Sequence, residues 1–319
     1  MEAQNLSVFI RGMRLESPAV ASFELAPMDG GTLPPFDPGA HVDLFLPDGQ
    51  TRSYSLVSRT DDSTGYRIAV KREAQSRGGS AWLHDAARLG IGLEITSPKG
   101  DFALADAAGE SIFIAGGIGI TPLLPMIEKL SVLGRRWSLH YAAPSAEHMA
   151  FRHQLGADAR YSGGSVTRYF PGGDGDRMDV RALVAAAPRG AHLYCCGPAR
   201  MIEEFVAAAA DRDPATVHFE RFAAAHSAAT DGGFTLKLAR DGRCLPVPAG
   251  KSLLDVLLDA GLDVPYACTQ GVCGSCLVPV LGGTPDHRDS FLTDEEKAAN
   301  RSMLVCCSGS CSELLTLDI

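Results

Sequence analysis

The chain has 319 residues, 45% of them hydrophobic and 21% charged, with 38 acidic against 29 basic side chains and a net charge of −9. That acidic excess argues against a nucleic-acid or anionic-membrane partner, and no apolar run approaches the roughly 18 residues that a membrane helix needs. The length suits two or three domains without internal repeats, and the opening MEAQNLSVFIRG has no secretory pattern, so a cytoplasmic protein with reduced thiols is expected.

From Val8 to about Ser97 the pattern is mostly period two. HVDLFLP, RSYSLVS and YRIAVKRE alternate apolar with polar residues between Gly, Pro and Asp clusters, which predicts an antiparallel sheet closing into a small β-barrel. One helix, SAWLHDAARLG, interrupts it behind Arg77-Gly78-Gly79. Two glycines ahead of a helix let an anion approach exposed backbone N–H groups; the plain alternative is a tight turn with Ser80 as N-cap. The stretch RSYSL, Arg52 to Leu56, followed by VKRE, Val70 to Glu73, resembles the ferredoxin-reductase-like flavoproteins, whose R-x-Y-[ST] strand lies against the flavin ring. The resemblance implies that Arg52 binds phosphate, Tyr54 stacks on the flavin, and Ser55 is catalytic with its hydroxyl near flavin N5. It adds Ser53, Val70 and Lys71 to the cofactor-binding residues and makes Gly78, Gly79 and Ser80 a phosphate loop. Taken alone, Tyr54 reads as a half-buried strand aromatic and Arg52 as a surface charge.

SIFIAGGIGITPLLPMIEKLSVLG reads as a buried strand, a glycine loop and a helix. The strand patterns WSLHYAA, SVTRYF, AHLYCCG and TVHFERF then alternate with the helical patterns AEHMAFRHQLG, DVRALVAAA and PARMIEEFVAAAA. That order predicts a Rossmann-like parallel sheet that binds ligand at the carboxyl ends of its strands. Gly116, Gly117 and Gly119 bring backbone N–H groups to a pyrophosphate, although the spacing departs from G-x-G-x-x-G and is a weak signal alone. Pro122 suits a first helical turn. GGIGITP paired with the later CCGP resembles the same reductases. By that resemblance Thr121 lines the nicotinamide–flavin contact, Pro122, Gly197 and Pro198 bind cofactor, and Cys196 is a second catalytic residue beside nicotinamide C4. Cys195 faces the other side of its strand and reads as core. Phe222 is equally well a flavin-side aromatic or a domain-end core residue. After the second strand of this region YAAPSAEH has no arginine or lysine to meet a 2′-phosphate, so NADH is the expected donor.

AAAHSAATDGG, 223–233, has a linker composition. FTLKLARDGRCLPVPAG predicts a hairpin turning at Asp241-Gly242, with Cys244 as packing. SLLDVLLDAGL predicts a helix that Ser252 helps begin and Gly261 ends. YACTQGVCGSC follows, and Cys306 stands 29 intervening residues beyond Cys276. C-x4-C-x2-C with one distant cysteine is the plant-type [2Fe-2S] spacing, and Gly271 and Gly274 permit the tight turn that aims N–H groups at sulfur. Disulfides suit neither nine cysteines nor a reducing compartment, and structural zinc prefers two C-x2-C units where only Cys273 and Cys276 make one. A short helix, LTDEEKAAN, and a closing strand, LLTLDI, complete the chain.

Together these segments resemble the phthalate dioxygenase reductase family over essentially the whole length. The resemblance implies a flavin β-barrel domain (1–106), a nicotinamide domain (107–225), a linker (226–231) and a C-terminal β-grasp ferredoxin domain (232–319). It implies FMN, NADH and a [2Fe-2S] cluster on Cys268, Cys273, Cys276 and Cys306, the last chosen over Cys307 because the family ligand follows an apolar pair, here Leu304-Val305. It also implies a monomer that serves a terminal Rieske-type oxygenase, an aromatic-ring dioxygenase or O-demethylase. A cytochrome P450 acceptor, or a sensor that uses the cluster structurally, are the other readings. Thr269, Leu277-Val278-Pro279 and Gly309 depart from the family's charged residues, which puts acceptor docking and reduction potential, rather than cluster binding, outside what the resemblance implies.

Overall fold

The computed structural model describes residues 5–319 except 59, 61, 75, 77, 101, 106–108, 158–160, 162, 172–176 and 223–227. Arg77, the expected 106/107 boundary and residues 226–227 of the expected linker lie outside the described residues. The chain divides into two compact units, Met1–Glu220 and Arg221–Ile319.

The first unit begins with β1 (Asn5–Ser17), β2 (Val20–Pro27), β3 (His41–Phe45), β4 (Thr51–Ser55), β5 (Tyr66–Lys71), α1 (Gly79–Asp85) and β6 (Gly92–Thr96). The six strands run in the order β4-β3-β6-β1-β2-β5 with antiparallel neighbours. A bridge between Leu56 and Ile68 joins the two ends and closes the sheet. Alternation supplies the core: Phe23, Leu25, Val42, Leu44 and Ile68 point inward with no exposure, joined by Leu83 of α1.

The unit continues with β7 (Glu110–Gly116), α2 (Leu123–Val132), β8 (Arg136–Ala142), α3 (Gln154–Ala157), β9 (Ser165–Tyr169), α4 (Val180–Ala186), β10 (His192–Cys196), α5 (Ala199–Ala208) and β11 (Val217–Glu220). These strands form a parallel sheet in the order β11-β10-β7-β8-β9. The chain winds outward from β7 to β9, then crosses to the other side for β10 and β11. A crevice therefore opens between the carboxyl ends of β7 and β10, where ligands bind in such sheets. The helix expected over AEHMAFRHQLG is cut to Gln154–Ala157. Phe151 takes a left-handed φ of 60° so that Met149, Ala150 and its own ring are all buried, a tertiary gain that outweighs the local helical pattern.

The second unit holds β12 (Phe234–Leu238), β13 (Cys244–Val247), α6 (Leu253–Asp259), β14 (Leu277–Gly282), β15 (Pro285–Asp286), α7 (Asp294–Ala299), β16 (Ser302–Leu304), β17 (Gly309–Ser310) and β18 (Leu314–Leu317). Its main sheet is β13-β12-β18-β14-β16, with β12 and β18 parallel at the centre and α6 packed on one face, a β-grasp. Leu253, Leu254 and Leu257 of α6 bury against Leu236, Leu238, Leu315 and Leu317, each such side chain worth about 1.5–3 kcal/mol of transfer energy. Gly242 makes the expected hairpin turn at φ 77°. Cys244 is a correction: it is exposed, because edge-strand alternation turns Leu245 and Val247 inward instead. No helix among the described residues is long and apolar enough to cross a membrane.

Candidate cofactor sites

On the barrel, Arg52 and Tyr54 share one face of β4. The Arg52 guanidinium donates to the Gln50 side chain and, at 2.8 Å, to the Thr51 carbonyl. A Cβ on Gly79 would lie 2.7 Å from Arg52 Cγ, and one on Gly78, itself at φ 101°, would lie 2.7 Å from Gln50 Nε2. Glycine lets the start of α1 lie this close to β4, and the result is first-turn backbone N–H beside a guanidinium, a fit for phosphate. Ser80 is not the N-cap. Gly78 takes that place without a side-chain bond, Ser76 Oγ accepts from Ala81 N at 3.2 Å, and Ser80 Oγ binds Ser76 Oγ at 3.0 Å. Tyr54 is half-buried, and burial raises its phenol to about 12 against the opposing pull of Arg52. Ser55 is buried at the end of β4, opposite His41. Ser53 turns the other way and donates at 2.6 Å to buried Asp43, which also pairs with Lys99. Val70 is buried, and Lys71 reaches out to Glu73 at 3.0 Å.

At the switch point two turns meet backbone to backbone. A Cβ on Gly119 would stand 2.2 Å from the Cys196 carbonyl oxygen, and one on Gly116 would stand 2.6 Å from Pro198 Cδ. Gly117, at φ 55° with open space around its missing Cβ, leaves an uncovered cradle that fits a pyrophosphate. Tyr141 OH anchors the turn through the Gly117 carbonyl at 3.0 Å, and Thr121 Oγ1 donates to Ile118 O at 2.9 Å. The turn differs from the expected loop-then-helix: Gly117–Ile120 is a 3₁₀ turn and Pro122 is the N-cap of α2. Cys196 Sγ lies in a fully buried residue, and burial pushes the thiol well up. Cys195 faces the α4–α5 core.

Two residues of this half of the unit, one beside the crevice and one at the turn after β8, are not distinguished by their sequence context. Glu220 stands opposite Cys196 in the β10–β11 ladder; its Oε2 is sealed from solvent without a hydrogen bond among the described residues, and burial raises the carboxyl to about 8. Only strand pairing brings it there. Arg152 donates at 3.0 Å to the Ala146 carbonyl, so the fold sets an arginine against the cation-free turn 143–148, where Ser145 Oγ and His148 Nδ1 pair at 2.9 Å. Phe222 belongs to the second unit and is partly buried.

In that second unit the loop Cys268–Cys276 is shaped by left-handed backbone at Thr269, Gly271 and Gly274. The thiols form two pairs, Cys268 donating to Cys273 and Cys276 to Cys306. Backbone N–H groups aim at sulfur: Gln270, at 3.3 Å, and Val272 at Cys268, Gly271 at Cys306, and Cys306 at Cys276. The bond from Cys268 lowers Cys273 to about 5. Giving such bonds, together with burial, pushes Cys268 and Cys276 up. Cys306 is pulled down by Cys276, but contact with Cys307 and burial outweigh this and lift it to about 12. Two thiol pairs with convergent N–H donors fit a binuclear [2Fe-2S] cluster, whose irons take two cysteines each.

Residues 236–310 match the model of the 2Fe-2S iron-sulfur cluster binding domain. Phenoxybenzoate dioxygenase subunit beta of Ectopseudomonas oleovorans is 49% identical, over 98% of this chain and 97% of its own. Among solved structures, phthalate dioxygenase reductase, described as a modular structure for electron transfer from pyridine nucleotides to [2Fe-2S], is 35% identical with a TM-score of 0.83, covering 99% of this chain and 98% of that one. An intact type IV self-sufficient cytochrome P450 monooxygenase is 34% identical with a TM-score of 0.74, covering 99% of this chain and 41% of that one. Likeness at this level along the entire chain, with the switch-point crevice and the paired thiols in place, means that the protein belongs to the phthalate dioxygenase reductase family.

Proposed function

We propose that this protein is the reductase component of a multicomponent oxygenase, taking electrons from NADH and passing them through a flavin and a [2Fe-2S] cluster to the oxygenase. One combination carries the reading: a glycine-lined switch-point crevice and a two-pair thiol loop in a single chain. When bound, a flavin accepts electrons as a pair and releases them singly, which a one-electron cluster requires.

The chain's own residues bind and orient. Arg52 with the Gly78-Gly79 turn and Ser80 would hold the phosphate of FMN, Tyr54 and Val70 would meet its ring, Ser55 would offer its hydroxyl, and Ser53, whose hydroxyl is bonded to Asp43, would contribute through its backbone. Gly116, Gly117, Gly119, Gly197 and Pro198 receive the dinucleotide, with Thr121 and Cys196 lining the nicotinamide. Cys268, Cys273, Cys276 and Cys306 hold the cluster. The domains run 1–106, 107–225 and 232–319, and the protein acts as a monomer on a Rieske-type oxygenase. A P450 acceptor is the second reading, favoured by the likeness to the self-sufficient P450 monooxygenase.

Anaerobic titration of the purified protein with NADH, followed in the visible spectrum, tests the reading, with released flavin identified afterwards. Bleaching of flavin and cluster bands with FMN recovered is expected. Fully loaded protein whose bands do not respond to NADH would sink the reading. Rates of reduction of a Rieske oxygenase and of a P450 then separate the two acceptors.

A further inference from the structure

The segment Pro285–Leu292 braces the cluster loop. Ser290 N donates to the Gly271 carbonyl at 2.9 Å, and the Phe291 ring lies against Gly274. At its centre Asp289 is 2% exposed. The Asp289 carboxylate accepts from Leu292 N at 2.8 Å and Phe291 N at 3.2 Å, and from Ser308 Oγ at 3.5 Å on the turn that carries Cys306.

Three further groups surround this carboxylate. Lys297 Nζ, from α7, stands 4.0 Å from Oδ2 and donates to the Asp289 carbonyl at 2.8 Å. His287 Nδ1 stands 3.7 Å from Oδ1 with its side chain 10% exposed, and this nitrogen is sealed from solvent without a hydrogen bond among the described residues. His287 Nε2 lies 3.1 Å from Asn300 Oδ1, a contact that assigns the ring hydrogen to Nε2. Asn300 is itself held left-handed, at φ 51°, as the C-cap of α7. The neighbouring charges on the other side, Asp286 and Arg288, satisfy one another at 2.7 Å. His287 therefore aims a bare lone pair at a buried carboxylate, an arrangement that is repulsive until a proton sits on Nδ1.

We propose that His287 is a redox-linked proton site: Nδ1 takes up one proton from solvent when the cluster gains an electron and returns it when that electron leaves. The proposal rests on the cluster reading above. The electron comes from NADH by the route already described, and the proton from water. One N–H bond forms at Nδ1, one O–H bond breaks in solvent, and no covalent bond in the protein is broken. The thiolate-bound centre becomes more negative by one charge on reduction, and an imidazolium paired with Asp289 offsets that charge within the same low-dielectric core. Lys297 sets the range of the response, because a fixed cation beside the same carboxylate opposes a second one.

The test is a redox titration of the holoprotein, with cluster content fixed beforehand from its spectrum and iron analysis so that a missing cluster is scored separately. Measured across the range in which imidazoles titrate, about pH 5.5 to 8.5, the cluster potential is expected to fall as pH rises. Its slope approaches a tenfold change in reduction equilibrium per pH unit, about 59 mV for one electron. His287→Gln is expected to abolish the slope. Lys297→Met, which leaves the imidazole in place, moves the sloping range to higher pH. A wild-type potential independent of pH overturns the proposal, as does a slope that survives His287→Gln. If His287→Gln does not load a cluster, Lys297→Met decides, and an unmoved slope overturns it.

Discussion

Cys196 and Glu220 face each other across one rung of a parallel ladder, and both are held neutral near pH 7 by burial. Neither side chain then adds negative charge beside the crevice, where the proposed dinucleotide would bring its own. Glu220 also links stability to pH. Its folded value, about 8, lies above the ordinary 4.5, so its contribution is fully present below the ordinary value and is lost as pH rises through about 8. Glu220→Gln is expected to flatten the fall in melting temperature over that window, and an unaltered profile would show that another group controls it. Ser55→Ala is expected to slow flavin reduction by NADH in single-turnover mixing by about 10²-fold, within the range for a positioned polar group, while the cluster spectrum stays intact. At Gly119 even one methyl group meets the Cys196 carbonyl oxygen at 2.2 Å. Gly119→Ala should weaken NADH binding about tenfold or more, roughly 1.4 kcal/mol, with flavin content unchanged.

At the scale of elements, α6 and α7 are set by capping boxes, Ser252 with Asp255 and Thr293 with Glu296. These signals are local, so the sequence shows them: Ser252 and Gly261 mark α6 before any contact is known. Thr293→Ala leaves N–H groups of α7 unsatisfied and is expected to cost about 1 kcal/mol. Because α7 carries Lys297 and Asn300 to the brace of the cluster loop, the loss should register as a lower temperature of cluster bleaching, measured by visible absorbance. Equal bleaching temperatures for variant and parent would detach α7 from cluster retention. Helix α3 shows the opposite case, where burial of Met149, Ala150 and Phe151 overrides a helical pattern.

For the whole molecule, the proposed dinucleotide crevice and the cysteine loop belong to different compact units. Cys268→Ser removes one thiol of the first pair and leaves the barrel and the nicotinamide sheet untouched. Reduction of a one-electron protein acceptor by NADH should fall to background, whereas NADH–ferricyanide activity stays within about twofold, as expected for independent sites. A variant that still carries a full cluster would show that Cys268 is not a ligand.

The sequence by itself determined what is written in adjacent residues. The period-two runs of the barrel, the glycine turns, the ends of α6 at Ser252 and Gly261 and the C-x4-C-x2-C loop are short-range patterns whose chemistry depends on spacing along the chain. Tertiary structure decided everything that depends on neighbours distant in sequence. It joined Gly119 to Cys196 and Glu220 to Cys196, turned Ser53 toward Asp43, brought Arg152 to the turn after β8, and paired Cys276 with Cys306. It also set His287 against Asp289. The physical reason is the same throughout: hydrogen bonds and burial are settled by which strands lie side by side, and a strand's own residues do not say which partner will cover them.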